Sequence, residues 1–216
     1  MMKCFFCLLL FCSINVVAED SQELAKLLVE YKTIQGDFEQ SLRDSKGDVI
    51  QESSGTFTVK APGFFLWDTQ VPFPQLLVSN LENIWLYDPD LEQVTVRPYS
   101  QNIDQSPALL LSGNVEKISN TYHINKINVA IEHDNINADN LKTVTSYFVL
   151  TPKQESETFL ELQLGFVDNT IQRMILADSL GQTTRFIFSN TVRDQLVSNS
   201  IFDFSIPAGV DVLVDQ

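Results

Sequence analysis

The chain has 216 residues, 44% hydrophobic and 19% charged, a size and composition that suit one folded unit with a sizeable core. Ordinary apolar content argues against both a disordered chain and an integral membrane protein. With 28 acidic against 14 basic residues, the formal net charge of −14 disfavours nucleic acid and anionic lipid surfaces, whose phosphates it would repel.

Residues 1–18 stand apart. Met1-Met2-Lys3 is weakly basic, Cys4 to Ile14 is almost continuously apolar, and Val16-Val17-Ala18 puts small residues before Glu19. This pattern predicts a secretory signal peptide, too short to span a bilayer. Cys4, Cys7 and Cys12 all lie in it, and Phe11 is not the small residue that a lipidated Cys12 would need before it. Residues 19–216 are therefore expected to form a single soluble, unlipidated, cysteine-free domain that stands on its apolar core without disulfides.

Asp20–Lys32 places Leu24, Leu27, Leu28 and Tyr31 at helical spacing behind an Asp20 or Ser21 cap, which predicts an amphipathic helix packed on a sheet. From Ile34 the period changes to two. Phe38–Leu42 alternates, Lys46-Gly47-Asp48 turns the chain, and Val49–Lys60 continues with Gly55, Phe57 and Val59 on one face, so the pair reads as an antiparallel hairpin.

Ala61–Pro98 holds both tryptophans and five of the eight prolines. Phe65 and Trp67 share one face, Phe64 and Leu66 the other; Pro72 and Pro74 bound a short edge before Leu76-Leu77-Val78. Trp85 and Tyr87 alternate with Ile84 and Leu86, Asp88-Pro89-Asp90 is a turn, and Val94 and Val96 resume the strand pattern. Such meandering strands offer little polar relief on either face, so both faces are expected to be covered.

Ser106–Gly113 has a Ser cap, a first-turn Pro107 and an exit Gly113, which predicts a short apolar helix, either a plug or a movable lid. Asn128–Lys142 is expected to be an exposed loop or hairpin tip. Strands resume at Ser146–Thr151, Thr158–Phe166, Ile171–Ala177 and Gln182–Phe188, and Phe202–Pro207 is a last strand or an extended segment. The fold class is mainly β: a strongly curved antiparallel sheet, an open half-barrel of about ten or eleven strands, with an N-terminal helix and a short helical lid over the concave face.

Reactive chemistry is sparse. His123 and His133 have no partner cysteine and no HxH or HExxH spacing, and Pro89 with the missing loop glycine spoils a calcium reading of Asp88, Asp90 and Glu92. The serines lack a GxSxG context, and no thiol follows the signal segment. Carboxylate pairs are assembled in space and stay open. No metal, no cofactor and no enzymatic activity are expected. Arg97, Arg173 and Arg185 are expected to lay their stems on the sheet with their heads in water.

The ordered set Phe38-x-Gln40, Gly55-x-Phe57, Lys60-Ala-Pro-Gly-Phe-Phe-Leu-Trp67, Leu77-Val-Ser79, Trp85-Leu-Tyr-Asp-Pro-Asp-Leu-Glu-Gln-Val94, Pro107-Ala-Leu-Leu-Leu111, Phe148-x-Leu150-x-Pro152, Asp178-x-x-Gly181-Gln182 and Phe202-x-Phe204-x-x-Pro207-x-Gly209-Val210 resembles the periplasmic outer-membrane lipoprotein carriers, the LolA family, from about Ser21 onward. The resemblance implies a monomeric half-barrel that holds lipoprotein acyl chains in an apolar cavity under a helical lid. It implies as partners acylated lipoproteins, an ATP-driven release complex in the inner membrane and a lipoprotein receptor in the outer membrane. Two departures bear on the lid: Ala61 stands where family members often carry an arginine that latches it, and Asn128–Lys142 is longer than usual.

On this reading the lipid-binding lining is Phe38, Phe57, Val59, Phe65, Trp67, Leu76, Val78, Trp85, Val94, Leu109, Leu110, Phe148, Leu150, Leu162, Leu164 and Phe186, with Phe65 placed at the mouth. A one-residue slip in register exchanges the whole set for its opposite. A triacylated lipoprotein has roughly 45 methylenes, and exposing them costs on the order of 35 kcal/mol at about 0.8 each, so an apolar lining outweighs any hydrogen bond. A sensor or regulator on the same half-barrel, and a hydrolase of acidic or glycan substrates, are the alternatives.

Overall fold

A computed structural model describes residues 16–99, 111, 115–127, 146–154 and 160–214. Helix α1 (Val16–Val29) leads into a twelve-stranded sheet: β1 (Thr33–Arg43), β2 (Val49–Lys60), β3 (Phe64–Val71), β4 (Gln75–Asn80), β5 (Asn83–Asp88), β6 (Gln93–Pro98), β7 (Tyr122–Ile127), β8 (Ser146–Pro152), β9 (Glu161–Val167), β10 (Thr170–Ala177), β11 (Thr183–Arg193) and β12 (Asp211–Val214). A second helix, α2 (Val115–Thr121), precedes β7.

Strand order is β12-β6-β5-β4-β3-β2-β1-β11-β10-β9-β8-β7. The chain meanders outward from β1 to β6, crosses to the opposite edge at β7, and meanders back until β11 closes against β1. Only β12 runs parallel to its neighbour, β6. β12 and β7 remain as edges, so the sheet is open, as a half-barrel requires. It has one strand more than the upper expectation, because the last strand is Asp211–Val214.

Phe202–Pro207 is the extended alternative. Asn199–Phe202 forms a 3-10 turn capped by the Ser198 side chain, which accepts from Ser200 N–H, and the turn packs on β3 and β4. Pro207 offers no N–H to a ladder, and Gly209, at φ +87°, redirects the chain into β12.

Two apolar clusters flank the sheet. The larger, on what we term the inner face, joins Leu24, Leu27 and Leu28 of α1, Tyr31, Leu111, Ile118 of α2 and side chains from β1 to β11. The smaller, on the outer face, lies between β3–β6 and the strap of residues 194–210. Of the predicted Ser106–Gly113 helix only Leu111 falls among the described residues, where it is buried in the inner cluster; the Asn128–Lys142 prediction lies outside them.

Candidate functional site

The inner face is assembled by strand register. Phe38 on β1 faces Gly55 on β2 and Phe188 on β11; Phe57 faces Trp67 on β3; Val59 faces Phe65. The row continues across the other half as Phe186–Met174–Leu164–Phe148, with Leu176–Leu162–Leu150–Ile124 beside it. Gly55 makes the tightest contact possible. A Cβ there would lie 1.9 Å from the Asp68 carbonyl oxygen, so only glycine lets β3 close in where the ladder shifts between Ser54 and Gly55.

Trp67 is the hub of this face. Its ring stacks on Phe38 at 4.0 Å and on Phe65 at 5.8 Å, and meets Phe57 at 5.9 Å, Phe186 at 5.4 Å and Phe188 at 6.1 Å. The last two are edge-on at 85° and 90°, the arrangement the ring quadrupole favours. The protein's own aromatic rings thus pack on one another across this face; Phe65 is 0% exposed, buried rather than at a mouth.

Burial is graded along β1–β5, β10 and β11, though not along β7–β9, where Ile124, Leu150 and Leu162 are buried throughout. Ile34, Val59, Phe65 and Ile84, at one end, are buried, whereas Leu42, Leu77, Leu176 and Phe186, toward the other, are half-buried and mixed with Gln40, Thr69 and Thr184. The deep part has few polar groups. Ser79 donates its hydroxyl to Gly63 O at 3.1 Å. Arg97, expected to reach water from the sheet, is half-buried and shares the Phe65–Ser79–Ile84 row. The buried Tyr31 hydroxyl has no hydrogen-bond partner among the described residues, and burial pushes its pKa up to about 12.

Of the expected lining, Phe38, Phe57, Val59, Phe65, Trp67, Phe148, Leu150, Leu162 and Leu164 meet in the inner cluster, with Phe186 at its margin. Leu76, Val78, Trp85 and Val94 do not. Trp67 pairs with Leu77 and Leu77 with Leu86, so the inner row runs through Leu77, while Leu66–Val78–Trp85–Val96 and Asp68–Leu76–Tyr87–Val94 are outer rows. There Phe202 packs on Phe64 at 5.3 Å and Phe204 on Trp85 at 6.3 Å and Tyr87 at 5.6 Å. Leu76-Leu77-Val78 is apolar in both phases, so its alternation carries no sign of which face is which. Leu109 and Leu110 lie outside the described residues.

Sequence reasoning missed Ile34, Met174, Phe166 and Phe188. Phe188 was within reach, since strand period two carries Phe186 directly to it.

Two polar ties hold the coverings in place. At the β7 edge, Lys126 N–H donates to Asp20 Oδ2 at 2.8 Å and its ammonium pairs with Glu23 at 2.6 Å, fastening α1. On the outer side, Lys60 Nζ donates to Val197 O at 2.8 Å and Asn199 Oδ1 at 2.6 Å, fastening the strap. Ala61 contributes only its N–H, to Lys32 O at 3.0 Å. A separate hollow of about 380 Å³ over β1, β2 and β11 has a mixed lining that includes the charged side chains of Glu39, Glu52, Arg43 and Arg185. No group of three or more metal-ligating side chains occurs among the described residues. Among the described residues the inner face is predominantly apolar and suited to contact with hydrocarbon.

The sequence profile described as "Outer membrane lipoprotein carrier protein LolA" matches residues 30–205. An outer-membrane lipoprotein carrier protein of Hahella chejuensis is 40% identical over 190 residues, covering 88% of this chain and 86% of the relative. One of Azotobacter vinelandii is 39% identical over 192 residues, covering 89% and 86%. A crystal structure of an uncharacterized conserved protein from Thermus thermophilus superposes with a TM-score of 0.56 at 11% identity, covering 92% of this chain and 99% of that one, a likeness of fold alone.

Proposed function

The chain belongs to the LolA family of outer-membrane lipoprotein carriers, and from that premise we propose that it is a non-enzymatic periplasmic chaperone holding lipoprotein acyl chains against its inner face. The observation that carries this reading is the aromatic hub: Trp67 and its five phenylalanine neighbours make a broad, nearly dry hydrocarbon surface. Self-filling serves the task. A cavity that stays closed by its own side chains does not hold water when empty, and the work of reopening it moderates an affinity that would otherwise block hand-off. The lining on this reading is Phe38, Phe57, Val59, Phe65, Trp67, Phe148, Leu150, Leu162, Leu164 and Phe186, with Leu109 and Leu110 as lid.

Residues 1–18 act as the export leader, and residues 19–216 travel as one monomeric domain from the ATP-driven release complex of the inner membrane to the outer-membrane receptor. Mixing the purified carrier with inner-membrane vesicles that bear an active release complex yields a soluble carrier–lipoprotein pair. Lipoproteins that remain wholly in the membrane pellet would refute the proposal. Leu109→Asp lowers cargo retention more than folding stability; equal loss of both would reduce that residue to ordinary core.

A further inference from the structure

The antiparallel meander puts the β1–β2, β3–β4, β5–β6 and β10–β11 turns, and the start of β9, at one end of the sheet. Six large apolar side chains, each more than half exposed, sit on or beside these connections: Ile50, Val71, Phe73, Leu91, Leu160 and Leu180. Phe73, held between Pro72 and Pro74, is 67% exposed, and Leu180 is 75% exposed. At the opposite end the turns at 61–63, 81–82 and 168–169 present Leu81, and Ile127, Val192 and Leu196 are exposed at or just beyond the ends of β7 and β11. The rim is thus set apart by the gathering of its apolar tips on and beside the strand connections.

The same end is where the inner face of β1, β4, β10 and β11 is half-open, at Leu42, Leu77, Leu176 and Phe186, while Leu162, Leu150 and Ile124 of β9, β8 and β7 stay buried. Hydrocarbon that reaches the Trp67 hub along the sheet passes this rim. We propose that the rim, with Phe73 as its leading tip, makes transient contact with the surface of a zwitterionic phospholipid bilayer. The inference rests on the acyl-carrier reading and adds a surface through which the chains pass.

Spacing and charge select the occupant. The apolar tips are spread over several connections, with Val71 and Phe73 on the same one, rather than lining one groove; charged residues flank Ile50, Leu91, Leu160 and Leu180 but not Phe73. A fluid interface accepts tips at any spacing, whereas a rigid protein surface needs a matched pocket for each. The charges among them are mostly carboxylates: Asp44, Asp48, Asp88, Asp90, Glu92, Glu161 and Asp178, against Arg43, Lys46 and Lys153. Anionic headgroups are repelled by such a rim, while zwitterionic headgroups are not, and the contact stays weak enough to release.

The test is flotation of the purified carrier with phosphatidylcholine vesicles. Wild type partitions measurably, Phe73→Glu lowers partitioning about tenfold or more, and Phe73→Leu retains most of it. Phosphatidylglycerol in the vesicles lowers wild-type partitioning at low salt, and added salt restores it. Phe73→Trp emission is quenched by brominated acyl chains beyond the background of Trp67 and Trp85.

Absent wild-type partitioning, or equal partitioning of wild type and Phe73→Glu with both folded by circular dichroism, overturns the inference. So does a Phe73→Glu variant that loses binding to detergent-solubilised release complex yet still floats with vesicles, because the tip then serves a protein. A soluble fluorescent fatty-acyl probe separates the two levels. Loss of probe binding in wild type removes the carrier reading itself, whereas retained probe binding without vesicle contact removes only the rim.

Discussion

The two halves of the sheet are insulated differently. Strands β3–β6 are covered on both faces, by the inner cluster on one side and by Phe202, Phe204, Val197 and Val210 of the strap on the other. Strands β8–β11 bury mainly their inner face; their outer face carries Gln163, Arg173 and Arg185, half-exposed, with Arg173 Nη1 donating to the Tyr147 hydroxyl at 3.0 Å. The first half is a sandwich, the second an amphipathic wall. Apolar side chains therefore have two unlike duties in β3–β6, one toward the shared interior and one toward a cover that comes from the same chain.

The most severe test of that division is Phe202→Ala. Phe202 is fully buried in the outer cluster, so truncation lowers unfolding free energy by about 3–5 kcal/mol, measured in urea, while the folded fraction binds an acyl probe as before. A matching loss of probe affinity would join the two faces into one function.

At the seam between the halves lies Tyr31. Its pKa is about 12 in the fold, set first by burial, then opposed by Arg193 and reinforced by Glu30. The unfolded phenol titrates near 10, so the native state holds its proton longer. Stability is then fully present below about pH 10 and falls as pH rises toward about 12, by on the order of 2–3 kcal/mol. Tyr31→Phe removes that alkaline slope in pH-dependent urea melts and leaves neutral stability within about 1 kcal/mol, since the hydroxyl has no partner among the described residues.

Phe186→Ala reverses the first pattern. At the half-open margin it costs about 1–2 kcal/mol of stability but lowers acyl-probe affinity about five- to tenfold, read by fluorescence titration. The smallest effect belongs to the strap's tether. Lys60→Met removes the bonds to Val197 and Asn199, lowers stability by about 1 kcal/mol, and shifts Trp85 emission to the red as the cover loosens.

The same contrast explains what is legible before folding. In β9 a polar residue separates Leu162 from Leu164, and Arg185 precedes Phe186 in β11, so the inward phase of these strands is readable from period two, although Val149, Ile175 and Ile187 put apolar side chains in the outer phase as well. In β4 and β5 both phases carry apolar residues. In β6 the apolar phase of Val94 and Val96 is the outer one, with Gln93, Thr95 and Arg97 inward, and the cover that accounts for this lies about a hundred residues downstream. Leu76, Val78, Trp85 and Val94 read as interior for want of that partner. Gly55-x-Phe57 and Phe65-x-Trp67 escape the ambiguity, because Thr56, Thr58 and Asp68 mark the outer phase of their strands. The close approach of β3 at Gly55 leaves no sign in the pattern beyond the glycine itself.

Strand β1 pairs with β2 immediately after it in sequence and with β11 near the end of the chain; Asn190 donates to Asp37 Oδ2 across 153 residues. One long edge of the first-made hairpin must therefore wait for almost the whole polypeptide, and the apolar outer rows of β3–β6 wait for the strap that follows. Contacts of such sequence separation are slow to close, and an unpaired strand beside an uncovered apolar face is a template for association. A protein whose task is to shield greasy cargo thus passes through a stage in which it is greasy cargo itself, and its folding depends on keeping that stage short.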